Sequence, residues 1–172
     1  MVKRLFCPWR IKYVVSEKEK DCIFCKKLLE NKDEENLILL RGRFNFIILN
    51  LYPYNNGHLM IVPYEHTNDI TKLDTETLME MMRFLQLSVK ALKETMNPHG
   101  FNIGFNIGEV AGAGIAEHLH MHVVPRWNGD TNFMFVLGET KVIPEDLQST
   151  YKKLKPVLDR LYEEEKKSQE SS

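Results

Sequence analysis

The chain has few cysteines, no long apolar run and almost no net charge. Its three cysteines are too few for a disulfide-rich scaffold. The first residues, MVKRLFCPWRIKYVV, lack the apolar core of a secretory signal. No apolar run reaches the roughly 18 residues that a membrane-spanning helix requires. We therefore expect a cytoplasmic protein with no membrane partner.

Charge and composition also narrow the class of partner. The formal net charge is −1, and 43% of the residues are hydrophobic. A charge this small gives no electrostatic argument for a nucleic-acid partner, so we expect none. The length of 172 residues fits one domain with extensions. We expect a single domain over residues 1–172, with an N-terminal extension (1–20), a core (21–140) and a C-terminal helix with a frayed tail (141–172).

Several apolar, β-prone segments are separated by turn residues. Three lie within LILLRGRFNFIILNLYPYNNGHLMIVP, and two more are FNIGFNIG and EHLHMHVVP, joined by the glycine-rich GEVAGAGIA. NFMFVLG is a candidate for a further short strand. The order of three strands, a long helix and two strands predicts an α+β fold, in which the helix covers one face of an antiparallel sheet of about five strands.

Three segments predict helices. The clearest is LDTETLMEMMRFLQLSVKALKETMNPHG, which Asp74 or Thr75 can cap and which ends at Asn97. Its apolar residues recur at spacings of three and four: Leu78, Met81, Met82, Leu85, Val89, Leu92 and Met96. A C-terminal helix follows Pro144, and we expect Pro156 to interrupt or kink it and EEEKKSQESS to fray. CIFCKKLLENKDEEN predicts a short, charged helical turn.

Half of the six histidines fall in the stretch HLHMH, at every second position. Because side chains alternate across a strand, these histidines share one face and the apolar residues between them share the other. The histidines are His118, His120 and His122, and the residues expected in the core are Leu119, Met121 and Val123. The pattern suits a solvated strand face, a His-x-His metal site or a nucleotidyl-transfer site. Spacing alone does not separate the last two.

The sequence around these residues resembles the histidine triad (HIT) superfamily. Its signature is His-φ-His-φ-His-φ-φ with φ apolar, and residues 118–124, HLHMHVV, match it throughout. NGHLMIVPYEH and NIGEVAGAG precede this stretch in the expected order, so the resemblance extends from Cys22 to Phe135. The stretch AGAGIAEHLHMHVVPRWNGDTNFM is most similar to the branch that contains bacterial diadenosine tetraphosphate (Ap4A) phosphorylases and ATP adenylyltransferase-like proteins.

The resemblance implies a role for each histidine of the site. His120 would attack the α-phosphate of a nucleotide and form a nucleotidyl-histidine intermediate, from which a second acceptor takes the nucleotidyl group. His122 would contact the substrate by donating to the phosphate oxygens. His58 would pack beside the nucleophile, and a structural role in its tight turn is the alternative.

The same resemblance implies further substrate contacts. Asn50 would hold the ribose hydroxyls, and capping of its own turn is the alternative role. Asn106 would lie on the phosphate side. The loop from Gly112 to Gly114 would cradle the α-phosphate with its backbone.

Two features of the sequence bear on the acceptor. Many hydrolases of the family carry a glutamine four residues before the first histidine, where this chain has Gly114. Loss of that side chain favours phosphorolysis over hydrolysis. Some Ap4A phosphorylases replace the third histidine with glutamine, whereas His122 is intact here, so both water and phosphate stay open as acceptors.

The motif CIFC is a candidate zinc half-site, because its spacing lets two thiolates converge on one ion. The motif alone is also compatible with redox chemistry or with two unconnected cysteines. In some bacterial HIT proteins, a histidine after the VIPxxH motif and the first triad histidine complete a structural zinc site. The resemblance therefore implies a closed site of Cys22, Cys25, His66 and His118.

The resemblance implies a nucleotidyl transferase or hydrolase that cleaves Ap4A-like dinucleoside polyphosphates through adenylyl-His120. Mg²⁺ can accompany such a substrate, but no catalytic metal is implied. The alternatives are a hydrolase of adenosine 5′-phosphoramidates such as AMP-lysine, and a purine-nucleotide-binding module with little turnover. HIT proteins resemble one another in forming homodimers, and we expect a homodimer here.

Three remaining features have weaker assignments. An N-terminal aromatic patch is expected in core or dimer packing, or in a base pocket; it comprises Leu5, Phe6, Trp9, Tyr13 and Phe24. Arg10 and Arg126 are candidates for polyphosphate contacts. His99 is expected in an exposed turn.

Overall fold

A computed structural model of the chain describes residues 22–130 and 143–170. The strands are β1 Ile38–Arg41, β2 Asn45–Leu49, β3 Leu59–Pro63, β4 Gly100–Phe105 and β5 Met121–Arg126. They form one antiparallel sheet in the order β1-β2-β3-β5-β4. The helices are α1 Ile23–Leu29, α2 Asp33–Asn36, α3 Thr75–Met96 and α4 Leu147–Glu170, with 3-10 turns at Ile70–Lys72 and Glu109–Ala111. The prediction of an α+β fold with a long helix and a C-terminal helix is confirmed.

The sheet separates two apolar clusters, because the side chains of each strand alternate between its faces. In β2, Ile47 and Leu49 belong to the cluster that includes residues of α3 and α4. Phe46 and Ile48 face the opposite way and pack with Phe24 of α1. The expected position of the long helix on one face is therefore confirmed, and α1 contributes to the other face.

Helix α3 begins and ends at its predicted caps. The Asp74 side chain accepts a hydrogen bond from the Thr77 backbone N–H at 2.7 Å, and Asn97 ends the helix in the left-handed conformation. The buried residues are Thr77, Met81, Phe84, Leu87, Ser88, Ala91 and Leu92. Met82 is 53% exposed, so its predicted place in the apolar stripe is wrong. Spacings of three and four could not choose between Met82 and its neighbours, because α3 packs against both the sheet and α4.

Helix α4 runs through Pro156 without a break and continues to Glu170. The expected interruption at Pro156 is therefore wrong. The helix also continues through residues 163–170, and fraying of that end stays a prediction. Ion pairs one turn apart, such as Arg160 with Glu164, stabilise the exposed part of the helix. Its buried residues Tyr151, Leu154 and Leu158 join the cluster that contains α3.

Glu80 of α3 holds the turn between β1 and β2. Its carboxylate accepts hydrogen bonds from the backbone N–H groups of Arg43, Phe44 and Asn45, each at 2.7 Å. The Asn45 side chain donates a fourth bond at 2.9 Å. A Cβ added at Gly42 would lie 2.7 Å from Oε1 of Glu80, so the turn fits this closely against α3 because residue 42 is glycine.

The described residues contain no helix that is long and apolar enough to cross a membrane. The N-terminal extension 1–20 and the candidate strand NFMFVLG lie outside the described residues. That residues 1–172 form a single domain with the three expected parts remains a prediction.

Candidate active site and metal cluster

Only His122 of the three clustered histidines lies in β5. His118 and His120 precede this strand, so the prediction that a single strand carries all three is wrong. The chain pairs differently before β5, since the Leu119 backbone N–H donates to the Thr67 carbonyl, at 2.7 Å, outside the sheet. The histidines therefore lie where the chain enters the sheet.

The alternation of side chains nevertheless continues through this entry segment. The three histidines, His118, His120 and His122, are 1%, 4% and 8% exposed. The intervening residues Leu119, Met121 and Val123 lie in the cluster that packs with α3, as predicted. Burial of all three imidazoles excludes the alternative of a strand face that points into solvent.

The His120 ring is held with one nitrogen free. Its Nδ1–H donates to the backbone carbonyl of His118 at 2.8 Å, so Nε2 is the unprotonated nitrogen of the neutral ring. Burial lowers the pKa of His120, and the hydrogen bond to His118 acts in the opposite direction. The ring lies 4.8 Å from the His122 ring, centroid to centroid. A buried neutral imidazole with a free lone pair can act as a nucleophile.

His58 and His122 form a directed pair. The Tyr54 backbone N–H donates to Nδ1 of His58 at 3.0 Å, which places the proton of the neutral His58 ring on Nε2. This Nε2 lies 3.0 Å from Nδ1 of His122 and donates to it, so His122 carries its own proton on Nε2. Burial is the main reason that the pKa of His58 is lowered to about 3 and that of His122 to about 4. The pair thus presents a neutral N–H donor from His122.

Tyr54 is a part of this site that the sequence analysis missed. Besides its backbone hydrogen bond, its ring lies 4.6 Å from the His58 ring and 5.5 Å from the His122 ring, centroid to centroid. Tyr54 is 51% exposed. The motif YPYNNGH indicated a turn, but only the folded turn shows which of its residues meets the histidines.

Both predicted asparagines lie beside this pair. Nδ2 of Asn106 is 3.5 Å from Nε2 of His122, and Nδ2 of Asn50 is 3.4 Å from Nδ1 of His58. Oδ1 of Asn50 accepts the backbone N–H of Tyr52 at 2.9 Å. Asn50 therefore caps its own turn in this structure, which was the alternative role, and its contact with ribose stays a prediction.

The predicted phosphate loop is open. Gly112 and Gly114 are exposed, and a Cβ added at either would meet no described atom within 4 Å. Gly112 has a φ of +87°, a conformation that favours glycine. The role of this loop in binding phosphate remains a prediction.

The remaining candidates lie partly where we expected them. Phe24 is 2% exposed, and its ring centroid lies 5.3 Å from those of both His118 and His120. Arg126 pairs with Asp130 at 2.7 Å and donates to Asn102, so its described contacts are within the protein. His99 is exposed, as predicted. Arg10 and the other members of the aromatic patch lie outside the described residues.

The four predicted zinc ligands come together. One ligand atom from each of Cys22, Cys25, His66 and His118 lies within 4.8 Å of the others. Nδ1 of His118 is 3.3 Å from Sγ of Cys22, 3.7 Å from Sγ of Cys25 and 3.2 Å from Nδ1 of His66. Tetrahedral zinc, with bonds of about 2.3 Å to sulfur and about 2.0 Å to nitrogen, separates its ligand atoms by about 3.3–3.8 Å. The spacing therefore fits a tetrahedral metal ion.

The surroundings of the cluster also fit a metal. Nε2–H of His118 donates to the Pro63 carbonyl at 2.9 Å, which leaves Nδ1 unprotonated and able to bind a metal. Burial, and then the neighbouring Cys22, raise the pKa of the Cys25 thiol. A bound cation would lower the pKa of this thiol and so favour the thiolate.

Known proteins resemble the chain over most of its length. The family model for the HIT domain matches residues 32–129. The AP-4-A phosphorylase of Mycobacterium tuberculosis is 41% identical over 157 residues, which cover 87% of this chain and 80% of the relative. A Zn-bound histidine triad family protein from Mycobacterium smegmatis has a TM-score of 0.67 at 28% identity, and the match covers 83% of this chain and 96% of that one.

A second solved structure supports the fold. The hypothetical histidine triad nucleotide-binding protein from Sulfolobus tokodaii has a TM-score of 0.66 at 26% identity, with 81% of this chain and 93% of that chain covered. Together with the family-model match and the 41% identical relative, these findings confirm the resemblance seen in the sequence. The chain belongs to the HIT family and is a HIT-family enzyme.

Proposed function

We propose that this protein cleaves Ap4A-like dinucleoside polyphosphates at the α-phosphate, through an adenylyl-His120 intermediate, and that inorganic phosphate is the preferred acceptor. The observation that carries the proposal is the hydrogen bond from Nδ1–H of His120 to the His118 carbonyl, because it leaves Nε2 as a free nucleophile. The 41% identical relative, named an AP-4-A phosphorylase, supports the substrate class.

In the first step, Nε2 of His120 attacks the α-phosphorus of one adenylyl group. The bond from this phosphorus to the bridging oxygen breaks, and ATP leaves with the electron pair of that bond. The product on the enzyme is AMP joined to His120 through a P–N bond. Burial lowers the pKa of His120, so the ring is neutral and nucleophilic at neutral pH.

The neighbouring residues stabilise the charge that develops on phosphate. His122 presents its Nε2–H, and the side chain of Asn106 lies 3.5 Å from that nitrogen, so both can donate to non-bridging oxygens. The amides of the Gly112–Gly114 loop are proposed to complete this cradle. When the nucleotide binds, Asn50 would break its hydrogen bond with the backbone N–H of Tyr52 and form hydrogen bonds with the ribose hydroxyls.

In the second step, an oxygen of inorganic phosphate attacks the same phosphorus and the P–N bond to His120 breaks. ADP forms, and the free imidazole is regenerated. Many hydrolases of the family carry a glutamine side chain where this chain has Gly114. Its absence, together with the named activity of the relative, favours phosphate over water as the acceptor.

Zinc is the proposed occupant of the metal cluster. Cys22, Cys25, His66 and His118 would hold it as four protein ligands, which leaves no open position for substrate and assigns the ion a structural role. The Zn-bound relative from Mycobacterium smegmatis supports this choice of metal. Mg²⁺ is proposed only as a companion of the polyphosphate. A cytoplasmic location is part of the proposal, since both thiols must stay reduced.

A homodimer is also proposed. Strand β4 forms one edge of the sheet, and Ile103 within it is 46% exposed. Leu85 and Val89 of α3 line a groove beside Ile103. An exposed apolar edge of this kind favours pairing with a second copy. Sedimentation analysis should give twice the chain mass, and Ile103→Lys should give the monomer.

The reaction is tested by incubating the purified protein with Ap4A, with and without inorganic phosphate, and identifying the products. We expect ADP and ATP, formed only when phosphate is present. AMP and ATP formed without phosphate would make water the acceptor and would contradict the phosphorolysis part. Absence of turnover in both tubes would contradict the proposed substrate class, and AMP-lysine would then be the next substrate to test.

A further inference from the structure

We propose that the metal cluster sets the position and tautomer of His120 through His118, which makes Cys25 and His66 positioning residues for the reaction. The effect on turnover rests on the proposed function, whereas the effect on the His120 ring does not. The cluster would then do more than stabilise the fold, because an ion bound there would prepare the nucleophile.

His118 takes part in both sites. Its ring faces the cluster, with Nδ1 3.3 Å from Sγ of Cys22 and 3.2 Å from Nδ1 of His66. Its backbone carbonyl accepts the Nδ1–H of His120 at 2.8 Å. The ring and the carbonyl belong to the same residue, so an ion that fixes the ring also restrains the carbonyl. The position of the carbonyl in turn determines which nitrogen of His120 carries the proton.

Apart from the hydrogen bond of the His118 ring to the Pro63 carbonyl, the sheet gives this segment little support. His118 and His120 lie before β5, where the ladder of the sheet does not restrain them. The Leu119 N–H donates instead to the carbonyl of Thr67, the residue that follows the ligand His66. Joining His66 to His118 through an ion would therefore draw together the two segments that hold the His120 acceptor.

Phe24 provides a second connection. It lies between the two cysteines of CIFC and is 2% exposed. Its ring centroid lies 5.3 Å from that of His118 and 5.3 Å from that of His120. Ligation by Cys22 and Cys25 would hold both ends of the turn that presses this ring against the nucleophile.

Release of the ion would remove these restraints. The His118 carbonyl could then turn away, and Nδ1 of His120 would no longer have a fixed acceptor. The His120 ring would exchange between its two neutral tautomers, and only one of these has the lone pair on Nε2. Substrate binding would change less than turnover, because Asn50 and the phosphate loop do not belong to the cluster.

The test uses the full chain, purified with its metal, in three variants. His66→Ala removes a ligand, whereas His66→Cys replaces it with a thiolate, which zinc also accepts. His66 is exposed, so neither change opens a cavity in the core. His99→Ala is the matched control, because His99 is also exposed and lies outside both sites. Metal content is measured for each protein.

The first readout is the tautomer of His120, from ¹⁵N NMR of the imidazole nitrogens, recorded without nucleotide. We expect a single Nδ1–H form in the wild type, in His99→Ala and in metal-loaded His66→Cys, and a mixture of both tautomers in His66→Ala. An unchanged Nδ1–H form in metal-free His66→Ala would overturn the inference. Should that variant not fold, the same spectrum of wild type before and after chelation decides the question.

The second readout is turnover of Ap4A. We expect kcat of His66→Ala to fall on the order of tenfold or more with a much smaller change in KM, and metal-loaded His66→Cys to recover most of the loss. Equal kcat in the metal-loaded wild type and metal-free His66→Ala would contradict the inference. If the wild type does not cleave Ap4A, the proposed function fails, but the NMR readout still tests the positioning of His120.

Discussion

Nε2 of His58 lies 3.0 Å from Nδ1 of His122, and the two residues are 0% and 8% exposed. Each ring can therefore accept a proton only by breaking a directed hydrogen bond or by burying a charge. This pair gives the site a pH dependence that stability measurements can detect.

We expect the protein to lose stability as the pH falls below about 6.5, the value at which an unfolded histidine titrates. Burial, with the neighbouring histidines, lowers the pKa of His58 to about 3 in the folded protein. Between these two values the unfolded chain binds more protons than the folded chain. The contribution of neutral His58 to the free energy of unfolding is thus fully present above about pH 6.5. It is lost on acidification, by up to about 1.4 kcal/mol per pH unit.

Urea denaturation at pH 7, 6 and 5 checks this expectation. His58→Gln removes the titrating group, so the free energy of unfolding should fall less steeply with decreasing pH than in the wild type. His99→Gln is the control, because His99 is exposed, and its slope should match the wild type. Identical slopes in all three proteins would show that His58 does not carry the pH dependence.

His120→Ala should abolish turnover while nucleotide binding persists. The substitution removes the nucleophile but leaves Asn50, Asn106 and the phosphate loop, so we expect kcat to fall by several orders of magnitude. Binding of AMP, measured by calorimetry, should remain. Turnover near the wild-type value in His120→Ala would eliminate the covalent mechanism, and loss of AMP binding would indicate that the pocket had collapsed.

Metal analysis should find one zinc ion per chain in protein purified without chelator. Removal of this ion should lower the melting temperature, because four residues from three separate segments lose their common ligand. The double variant Cys22→Ser, Cys25→Ser should bind little zinc, and added chelator should leave its melting temperature unchanged. Zinc content near zero in the wild type would refute the assignment.

Glu80→Ala should destabilise the fold by about 2–4 kcal/mol, since it leaves several hydrogen-bond donors of the β1–β2 turn without their charged acceptor. Chemical denaturation measures this change. Glu76→Ala is the control, because Glu76 is exposed in the first turn of the same helix. Its effect on the free energy of unfolding should be about 0.5 kcal/mol or less, as is usual for surface changes. Similar losses in both variants would mean that the Glu80 contacts contribute little.

Local patterns in the sequence predicted much of the fold. Alternation placed Leu119, Met121 and Val123 in the core, and Asp74 and Asn97 correctly bounded the long helix, because these features depend on neighbours along the chain. Other features depend on distant partners. The start of β5 after His120, for example, depends on Thr67, which accepts the hydrogen bond of Leu119 across the fold.

The candidate site likewise combines features that the sequence predicted with features that only the folded structure determines. The family pattern identified the four cluster ligands, and the structure brings all four together. It did not identify Tyr54, whose backbone N–H determines the tautomer of His58, since any residue other than proline offers that donor. Nor could the spacing show that Arg126 pairs with Asp130, because loop conformation decides which partner an exposed arginine meets.

The turn that carries His58 has a consequence for how the protein is made. Asn56 in this turn donates to Glu145, just before α4, at 3.2 Å and across 89 residues of sequence. Helix α4 also supplies Leu154 and Leu158 to the core. A nascent chain whose histidines have all emerged from the ribosome still lacks these contacts, because α4 follows them in the sequence. We therefore expect the enzyme to become competent only after helix α4 has left the ribosome.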